Sequence, residues 1–138
     1  MREILFRGQC CTDGKWVEGY LGIEVPDELV IQQFSFDEYF KSDCIDQYSV
    51  KPETIGQYTG LTDKNGTKIF EGDILEGDLD DNLDLGAKWR SIVVMGKFGW
   101  LADAPTGSEP TPLDEFDIKE GEVIGNIHDN PELVRKCE

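Results

Sequence analysis

Acidic side chains dominate one segment of the chain and have the chemistry of cation ligands. Oxygen-bearing residues alternate there, as in the first half of an EF-hand loop, at Asp78, Asp80, Asn82 and Asp84. The match to that loop fails at Leu83, where glycine is needed, and at Trp89, where a bidentate glutamate is needed. We therefore expect no bound metal and predict a solvated acidic loop. If its charge is functional, the acids expected to contact a basic partner are Asp78, Asp80, Asp81 and Asp84.

General acid–base chemistry has few candidates in this sequence. His128 is the only histidine, and no nucleophile motif such as G-x-S-x-G accompanies it. Glu71 and Asp73 flank Gly72, but a catalytic carboxylate pair needs an opposing acid with a perturbed pKa. We expect local hydrogen bonds at His128 and a structural turn over residues 71–73. No catalytic residue and no cofactor is predicted. The alternative is a hydrolase whose catalytic acids are far apart in the sequence and come together only in the folded protein.

Aromatic residues could form a stacking platform for the bases of single-stranded nucleic acid. The candidates are Trp16, Tyr20, Tyr58, Trp89, Phe98 and Trp100. Such platforms normally accompany a basic groove, whereas the lysines and arginines of this chain are interleaved with acids. Burial in the core is therefore the favoured interpretation, and a nucleic-acid-associated small β-barrel is the alternative.

The chain is strongly acidic, with 29 Asp and Glu residues against 13 Lys and Arg residues and a net charge of -16. Like-charge repulsion argues against direct binding to nucleic acid or anionic lipid. The simplest interpretation is a solubilising surface, because charge runs usually mark solvated faces. The alternative is an acidic face that binds a basic host or phage protein. A homo-oligomer is compatible with either interpretation.

Length and cysteine usage restrict the architecture and the compartment. A chain of 138 residues suits a single domain over residues 1–138. The four cysteines include no C-x-x-C spacing, so neither a zinc site nor a dithiol is indicated. The N-terminus has no apolar signal region, and no apolar run reaches the length of a membrane span. We predict a cytoplasmic protein with reduced thiols and no membrane contact.

Strands joined by tight turns must position these residues. Residues 57–75 are predicted to form successive strands, with Asn65 and Gly66 in one turn and Gly72 and Asp73 in the next. Short apolar runs punctuated by 15 glycines predict a mainly β fold. We expect a compact domain of antiparallel strands, barrel-like or sandwich-like, with one or two short helices.

Helical segments are predicted at few positions. Ser35 and Glu38 have the spacing of a capping box, which predicts a short helix or 3₁₀ turn over residues 36–44, with an irregular loop as the alternative. A longer helix there would give an α+β packing instead. Residues 113–118 are predicted to form a short strand, and Pro131 to begin a short closing helix.

Three regions of the chain resemble the YopX family of small proteins encoded by phages and prophages. They are FRG with DGKWVEGY within residues 6–20, PETIGQYTGLTDKNGTKIFEGDIL over 52–75, and VIGNIHDNPEL over 123–133. Their order and spacing both fit the family. Phe70, where tyrosine is expected, and His128-Asp129, where an aromatic residue and glutamate are commoner, depart from the pattern but preserve shape and charge.

The resemblance implies a β-rich fold in a phage or prophage context, hence a bacterial host cell, and offers no catalytic residue or cofactor to transfer. With the missing catalytic motifs, it favours a non-enzymatic accessory protein that acts through protein–protein contacts. A basic, aromatic-lined groove would favour the nucleic-acid alternative, and a pocket with paired carboxylates would favour the hydrolase.

Overall fold

A computed structural model describes residues 4–24, 28–78, 88–105 and 109–134. Strands are the main element of these ranges, accompanied by one short α-helix and two 3₁₀ turns. This confirms the predicted mainly β class with antiparallel strands. Contacts divide the chain into two compact units, residues 1–58 and 59–138. The expectation of one domain over residues 1–138 stays a prediction.

The first unit is an antiparallel sheet with a long hairpin at one side. Its elements are β1 (Phe6–Gln9), β2 (Trp16–Glu24), β3 (Glu28–Asp37), β4 (Ser42–Ser49), a 3₁₀ turn (Pro52–Thr54) and the first residues of β5 (Gly56–Thr62). The strands lie in the order β4-β3-β2-β1-β5. Each strand therefore pairs with its neighbour in sequence, except that β5 returns to the far side of β1.

Burial within the first unit is confined to part of the sheet. Val30 and Ile31 of β3 are fully buried. A Cβ atom at Gly8 would lie 2.9 Å from the Val50 side chain, so glycine allows β1 to approach that residue closely. From residue 32 to residue 49, in contrast, no residue is buried. The outer part of the β3–β4 hairpin thus extends away from the unit's core.

The second unit contains the rest of β5 and a five-stranded antiparallel sheet. Its further elements are β6 (Lys68–Phe70), β7 (Asp73–Asp78), β8 (Lys88–Gly96), β9 (Gly99–Asp103), β10 (Thr111–Pro112), α1 (Glu115–Glu120), β11 (Glu122–Asn126) and a 3₁₀ turn (Pro131–Val134). β6 pairs with β5, and the five-stranded sheet has the order β10-β9-β8-β7-β11. Within the described ranges neither sheet order closes on itself, so the fold is not a closed barrel.

Trp89 packs into a slot made by two glycines of the second unit. The indole lies against the buried core cluster of Ile69, Leu75 and Val93. A Cβ atom at Gly77 would lie 2.5 Å from the Trp89 ring, and one at Gly121 would lie 2.8 Å from it. Both distances are shorter than van der Waals contact, so the ring needs glycine on both sides.

The helix predicted over residues 36–44 is wrong, because β3 continues to Asp37 and β4 begins at Ser42. The pairing runs without interruption from Val30 opposite Ser49 to Asp37 opposite Ser42. At the end of the hairpin, the Asp37 carboxylate accepts hydrogen bonds from the next turn's backbone N–H groups at 2.8 and 3.1 Å. Asp37, which lies between the two residues of the predicted capping box, therefore stabilises a hairpin turn.

The strand predicted over residues 113–118 is also wrong, because α1 occupies residues 115–120. A reciprocal capping box begins this helix: Asp114 accepts from the Asp117 N–H, and Asp117 accepts from the Asp114 N–H. Partial burial raises the pKa of the Asp117 carboxyl, and the neighbouring Asp114 charge adds to that effect. The short helix predicted at Pro131 is present as a 3₁₀ turn. No helix in the described ranges has the length and hydrophobicity to cross a lipid bilayer.

Candidate partner-binding surface

The predicted turn residues lie at the ends of short strands. Asn65 and Gly66 lie between β5 and β6, and Gly66 has a φ of 82°. Gly72 lies between β6 and β7 with a φ of 90°, and Asp73 is the first residue of β7. Positive φ favours glycine because it has no Cβ atom to clash with the backbone.

Buried carboxylates in the second unit bind backbone N–H groups. Asp73 is 1% exposed, and its Oδ2 accepts a hydrogen bond from Phe70 N at 2.8 Å. Asp63 is also buried and accepts from Asn65 N and Thr67 N at 2.9 Å each, and from Val123 N at 2.8 Å. These bonds give both acids a role in the fold, at turns that connect strands.

His128 is exposed and belongs to a local turn. Its backbone N–H donates to Asn126 Oδ1 at 2.9 Å, as does that of Asp129 at the same distance. Asn126 Nδ2 donates to the Asp129 carboxylate at 3.2 Å. The arrangement is an Asx turn that follows β11, in which the asparagine side chain organises the backbone around His128.

Only one of the four predicted partner-binding acids lies within the described residues. Asp78 is exposed at the end of β7, and Lys88 Nζ lies 2.8 Å from its Oδ1. The hydrogen bond from Lys88 lowers the pKa of the Asp78 carboxyl, helped by the charge of the same ammonium. The others, Asp80, Asp81 and Asp84, lie outside the described residues. Among residues 4–24, 28–78, 88–105 and 109–134, no three acids, cysteines or histidines cluster as metal ligands would.

The six candidate aromatics have different environments. Trp16 is half-buried, and the Arg7 guanidinium carbon lies 5.0 Å from the centroid of its ring. Tyr58 is buried, while Trp89 and Trp100 pack against the core cluster of the second unit. For these three the core interpretation is confirmed. Tyr20 is 53% exposed and Phe98 is 96% exposed, so that interpretation is wrong for both of them.

Four large apolar side chains form an exposed patch on one face of the first unit. We call this group the hairpin patch, and it consists of Tyr20, Phe34, Phe36 and Ile45. Their exposed fractions are 53%, 56%, 52% and 57%. Tyr20 lies opposite Gln32, and Phe34 lies opposite Ile45. Since alternate residues of a strand share a face, this register places all four side chains on the same side of the sheet.

Direct contacts order the hairpin patch. The rings of Tyr20 and Phe34 meet edge to face, with centroids 5.4 Å apart and planes at 62°. An open groove of about 580 Å³ follows the outer half of the patch, and its lining includes Phe36, Ile45 and Asp43. The patch is therefore a contiguous apolar surface and not a set of isolated apolar residues.

Acidic residues lie on and beside the hairpin patch. Asp43 lies opposite Phe36 on the patch face, while Asp46 lies opposite Gln33 and is exposed on the other face of the same strand. The turn of the hairpin adds Glu38, whose carboxylate lies 3.4 Å from Lys41 Nζ. The hairpin therefore combines an apolar surface with exposed acidic side chains.

The alternation of Phe34 and Phe36 with polar residues could have revealed this surface. Apolar residues at every second position are typical of a strand with one apolar face. The capping-box pattern at Ser35 and Glu38 favoured a helix instead, so a helix was predicted where the alternation indicates a strand. Exposure of the strand's apolar face could not be read from the sequence, because an alternating pattern usually marks a face that packs on a core.

Comparisons with known proteins agree with this β-rich architecture. The family model described as YopX protein matches residues 5–135. Among solved structures, the crystal structure of protein EF1440 from Enterococcus faecalis is similar, with a TM-score of 0.64 at 22% identity. That alignment covers 98% of this chain and 100% of the Enterococcus chain. It shows a shared fold. No curated protein matches the chain.

Proposed function

The chain belongs to the YopX family, and we propose that it is a non-enzymatic accessory protein of a phage or prophage, acting through protein–protein contacts in the bacterial cytoplasm. The family resemblance described above supports the phage context and a bacterial host, and the cysteine usage supports the cytoplasmic compartment. The observation that carries the protein-contact role is the hairpin patch, with its four large apolar side chains each more than half exposed.

Exposed apolar surface of this kind is costly for a protein that works alone. Burying it against a partner would be favourable by roughly 25 cal/mol for each Å² removed from water. The Phe34 and Phe36 rings and the Ile45 side chain supply aromatic and aliphatic anchors, and the acids around them supply specificity for charge. The patch thus has the composition of a protein interface.

The other two functions have less support from the same residues. Exposed aromatics could stack on bases, but the acids beside the patch would repel a phosphate backbone, as would the net charge of -16. A hydrolase needs a carboxylate aimed at a substrate. The buried acids Asp63 and Asp73 instead hold backbone N–H groups.

Affinity purification from bacterial cells that carry the source element tests this proposal. The wild type, a Phe34→Ser/Phe36→Ser variant and a Phe98→Ser control are compared, with bound proteins and nucleic acids both identified. Phe98 is a matched control because it is a phenylalanine that is 96% exposed and lies outside the patch.

We expect a specific protein partner that the wild type and the Phe98→Ser control recover equally and that the patch variant loses. Melting curves ensure that all three proteins are folded. Recovery of the same partners by the patch variant, or of nucleic acid as the specific ligand, would contradict the proposal.

A further inference from the structure

The first unit ends in an unpaired strand edge. β4 is the terminal strand of its sheet and pairs only with β3 among the described strands. Edge strands expose backbone donors and acceptors to which another extended chain can bind. Proteins often protect such edges with charged side chains, lysine above all, with proline or with a bulge. β4 has the sequence SDCIDQYS, so its only charged residues are Asp43 and Asp46. It contains neither lysine nor proline, and it pairs with β3 without a register shift.

The direction of each backbone group on β4 follows from bonds at its end. Val50 N donates to Leu29 O of β3 at 3.4 Å, so the backbone of Val50 faces β3. Ser49 O faces the other way and accepts from Cys11 N at 2.9 Å. Backbone groups of an antiparallel pair alternate between the two directions. The residues of β4 whose N–H and C=O groups point to the open edge are therefore Asp43, Ile45 and Gln47.

The same three residues have their side chains on the face of the hairpin patch. Ile45 lies opposite Phe34, and Gln47 lies opposite Gln32, whose side chain donates to it at 2.8 Å. A strand added to this edge would place every second side chain beside Ile45 and the groove next to it. The edge and the hairpin patch are thus parts of one binding surface.

The opposite face of the hairpin is acidic. Asp37 and Asp46 share this face, because Gln33 lies opposite Asp46 and alternate residues of β3 share a side. An added strand would therefore have its apolar side chains on the patch face and its remaining side chains near Asp46. Lysine or arginine at the second set of positions would be complementary in charge.

A second copy of the chain does not meet this requirement. It would bring another β4 with Asp43 and Asp46 to the edge, and each copy has a net charge of -16. Like charges across a strand pair are destabilising, and the overall repulsion adds to that effect. Charge complementarity thus selects a different chain, one with basic residues.

We infer that the open edge of β4 binds an extended protein segment in which basic and apolar residues alternate, by strand addition to the first unit. The apolar residues of that segment cover the hairpin patch, and its basic residues face Asp46. The inference rests on the proposed function and specifies the mode of contact and the class of partner.

A capped peptide of alternating lysine and valine, matched to the eight residues of β4, is a direct probe of strand addition. Its control is a peptide of the same composition with the lysines and the valines grouped, which has the same charge. Amide hydrogen exchange, followed residue by residue by NMR, reports the outcome on the intact protein. We expect new protection at Asp43, Ile45 and Gln47, because their N–H groups point to the open edge. We also expect weaker binding of the grouped peptide.

Proline substitution provides a matched pair of variants. Ile45→Pro removes an outward N–H group without removing a β3–β4 hydrogen bond, whereas Ile45→Ala shortens the side chain and keeps that group. We expect about tenfold or greater loss of peptide affinity for Ile45→Pro relative to Ile45→Ala, as expected for one lost hydrogen bond and the block to pairing. If Ile45→Pro does not fold, the amide hydrogen exchange of the wild type with the peptide is by itself the test of strand addition.

Each contrary outcome has a definite meaning. Equal binding of the two peptides, or binding without protection at the three edge residues, would overturn strand addition. Protection of those residues in a peptide-free dimer would assign the edge to a second copy and overturn the inference as well. If a cellular partner is lost with Phe34→Ser/Phe36→Ser but is retained by Ile45→Pro, strand addition fails and the proposed function stands. If the patch variant has no effect on partner binding, the proposed function itself fails.

Discussion

Asp63 connects residues of the second unit that are far apart in sequence. Its Oδ1 accepts from Asn65 N and Thr67 N at 2.9 Å, which closes the turn between β5 and β6. Its Oδ2 accepts from Val123 N of β11 at 2.8 Å. One carboxylate therefore fixes a turn and anchors a strand 60 residues further along the chain. The aspartate of a turn motif thus also has a tertiary role.

Replacing Asp63 tests this role. Asp63→Ala should reduce the free energy of unfolding by about 2–4 kcal/mol, because three backbone N–H groups lose their acceptor at a buried site. Asp63→Asn should cost less, since its amide oxygen still accepts from the turn. Asp13 is the control, because it accepts from Lys15 N at an exposed turn and has no bond to a distant strand among those described. Chemical denaturation of the variants measures the differences, and equal effects of Asp63→Ala and Asp13→Ala would argue against the tertiary role.

Gly66 supplies a second residue-level prediction, based on its φ of 82°. A Cβ atom there would meet no atom within 4 Å, so a substitution changes backbone strain and not packing. Gly66→Val should cost roughly 1–3 kcal/mol, because a β-branched residue strongly disfavours positive φ. Gly66→Asn should cost clearly less, since asparagine tolerates that region. Thermal unfolding ranks the two, and a valine variant as stable as the wild type would exclude the strained turn.

At the scale of elements, the sequence predicts the strand-rich central block because its turn residues have few other conformations available. Asn65, Gly66 and Gly72 lie in turns between short strands, as turn chemistry requires. The hairpin of β3 and β4 and the helix α1 are not predictable in this way. Ser35 and Asp37 lie next to the turn of the hairpin, and Asp114 lies at the start of α1. Side chains of this kind can cap a helix or a hairpin turn. Whether such a segment forms a helix or a hairpin turn depends on pairing with a neighbouring strand, which the local sequence does not specify.

The candidate surface has the same limit of prediction. The sequence contains the alternation of Phe34 and Phe36, but it does not show that both side chains are more than half exposed in the structure. A partner site was predicted in the acidic segment because its acidic residues lie close together in the sequence. The apolar patch is assembled from β2, β3 and β4. Its existence depends on the register of three strands.

The packing of Trp89 gives a prediction about β7 and β8. Gly77→Ala should destabilise the protein by about 1–3 kcal/mol, because the added Cβ atom would overlap the indole ring at 2.5 Å. Trp89→Leu should lose packing of its own but make room at Gly77. The double variant should therefore be more stable than the sum of the two single effects predicts. A double-mutant cycle by chemical denaturation measures this coupling. Strictly additive effects would contradict the close packing of Trp89 against Gly77.

At the scale of the whole molecule, the proposed choice of partner depends on charge. The net charge of -16 disfavours contacts with nucleic acid and with other copies of the chain, while the apolar patch on the hairpin favours association. Under the proposed function, these two properties together make basic proteins the suitable partners. Association with such a partner should weaken as salt rises, because exposed charges are screened over about 8–10 Å at physiological ionic strength.

This balance of charge predicts negligible binding to DNA. Mixed-sequence double-stranded DNA should bind more weakly than roughly 10⁻⁴ M at physiological salt, because few cations are unopposed by acids. Fluorescence anisotropy with a labelled duplex measures this. Tight, salt-sensitive binding would favour the nucleic-acid function.

Replacing Asp78, Asp80, Asp81 and Asp84 by asparagine tests the acidic segment separately. If a stable variant retains all partners, the charge of this segment serves solubility.

The most direct test of the protein-contact account is calorimetric titration of the recovered partner into three purified proteins: the wild type, Phe34→Ser/Phe36→Ser and Phe98→Ser. The account predicts a loss of about tenfold or more in affinity for the patch variant, since interface anchors typically cost above 1–2 kcal/mol when truncated. It also predicts an unchanged affinity for the Phe98→Ser control and weaker binding of the wild type at higher salt. Equal affinities of the wild type and a folded patch variant would contradict it.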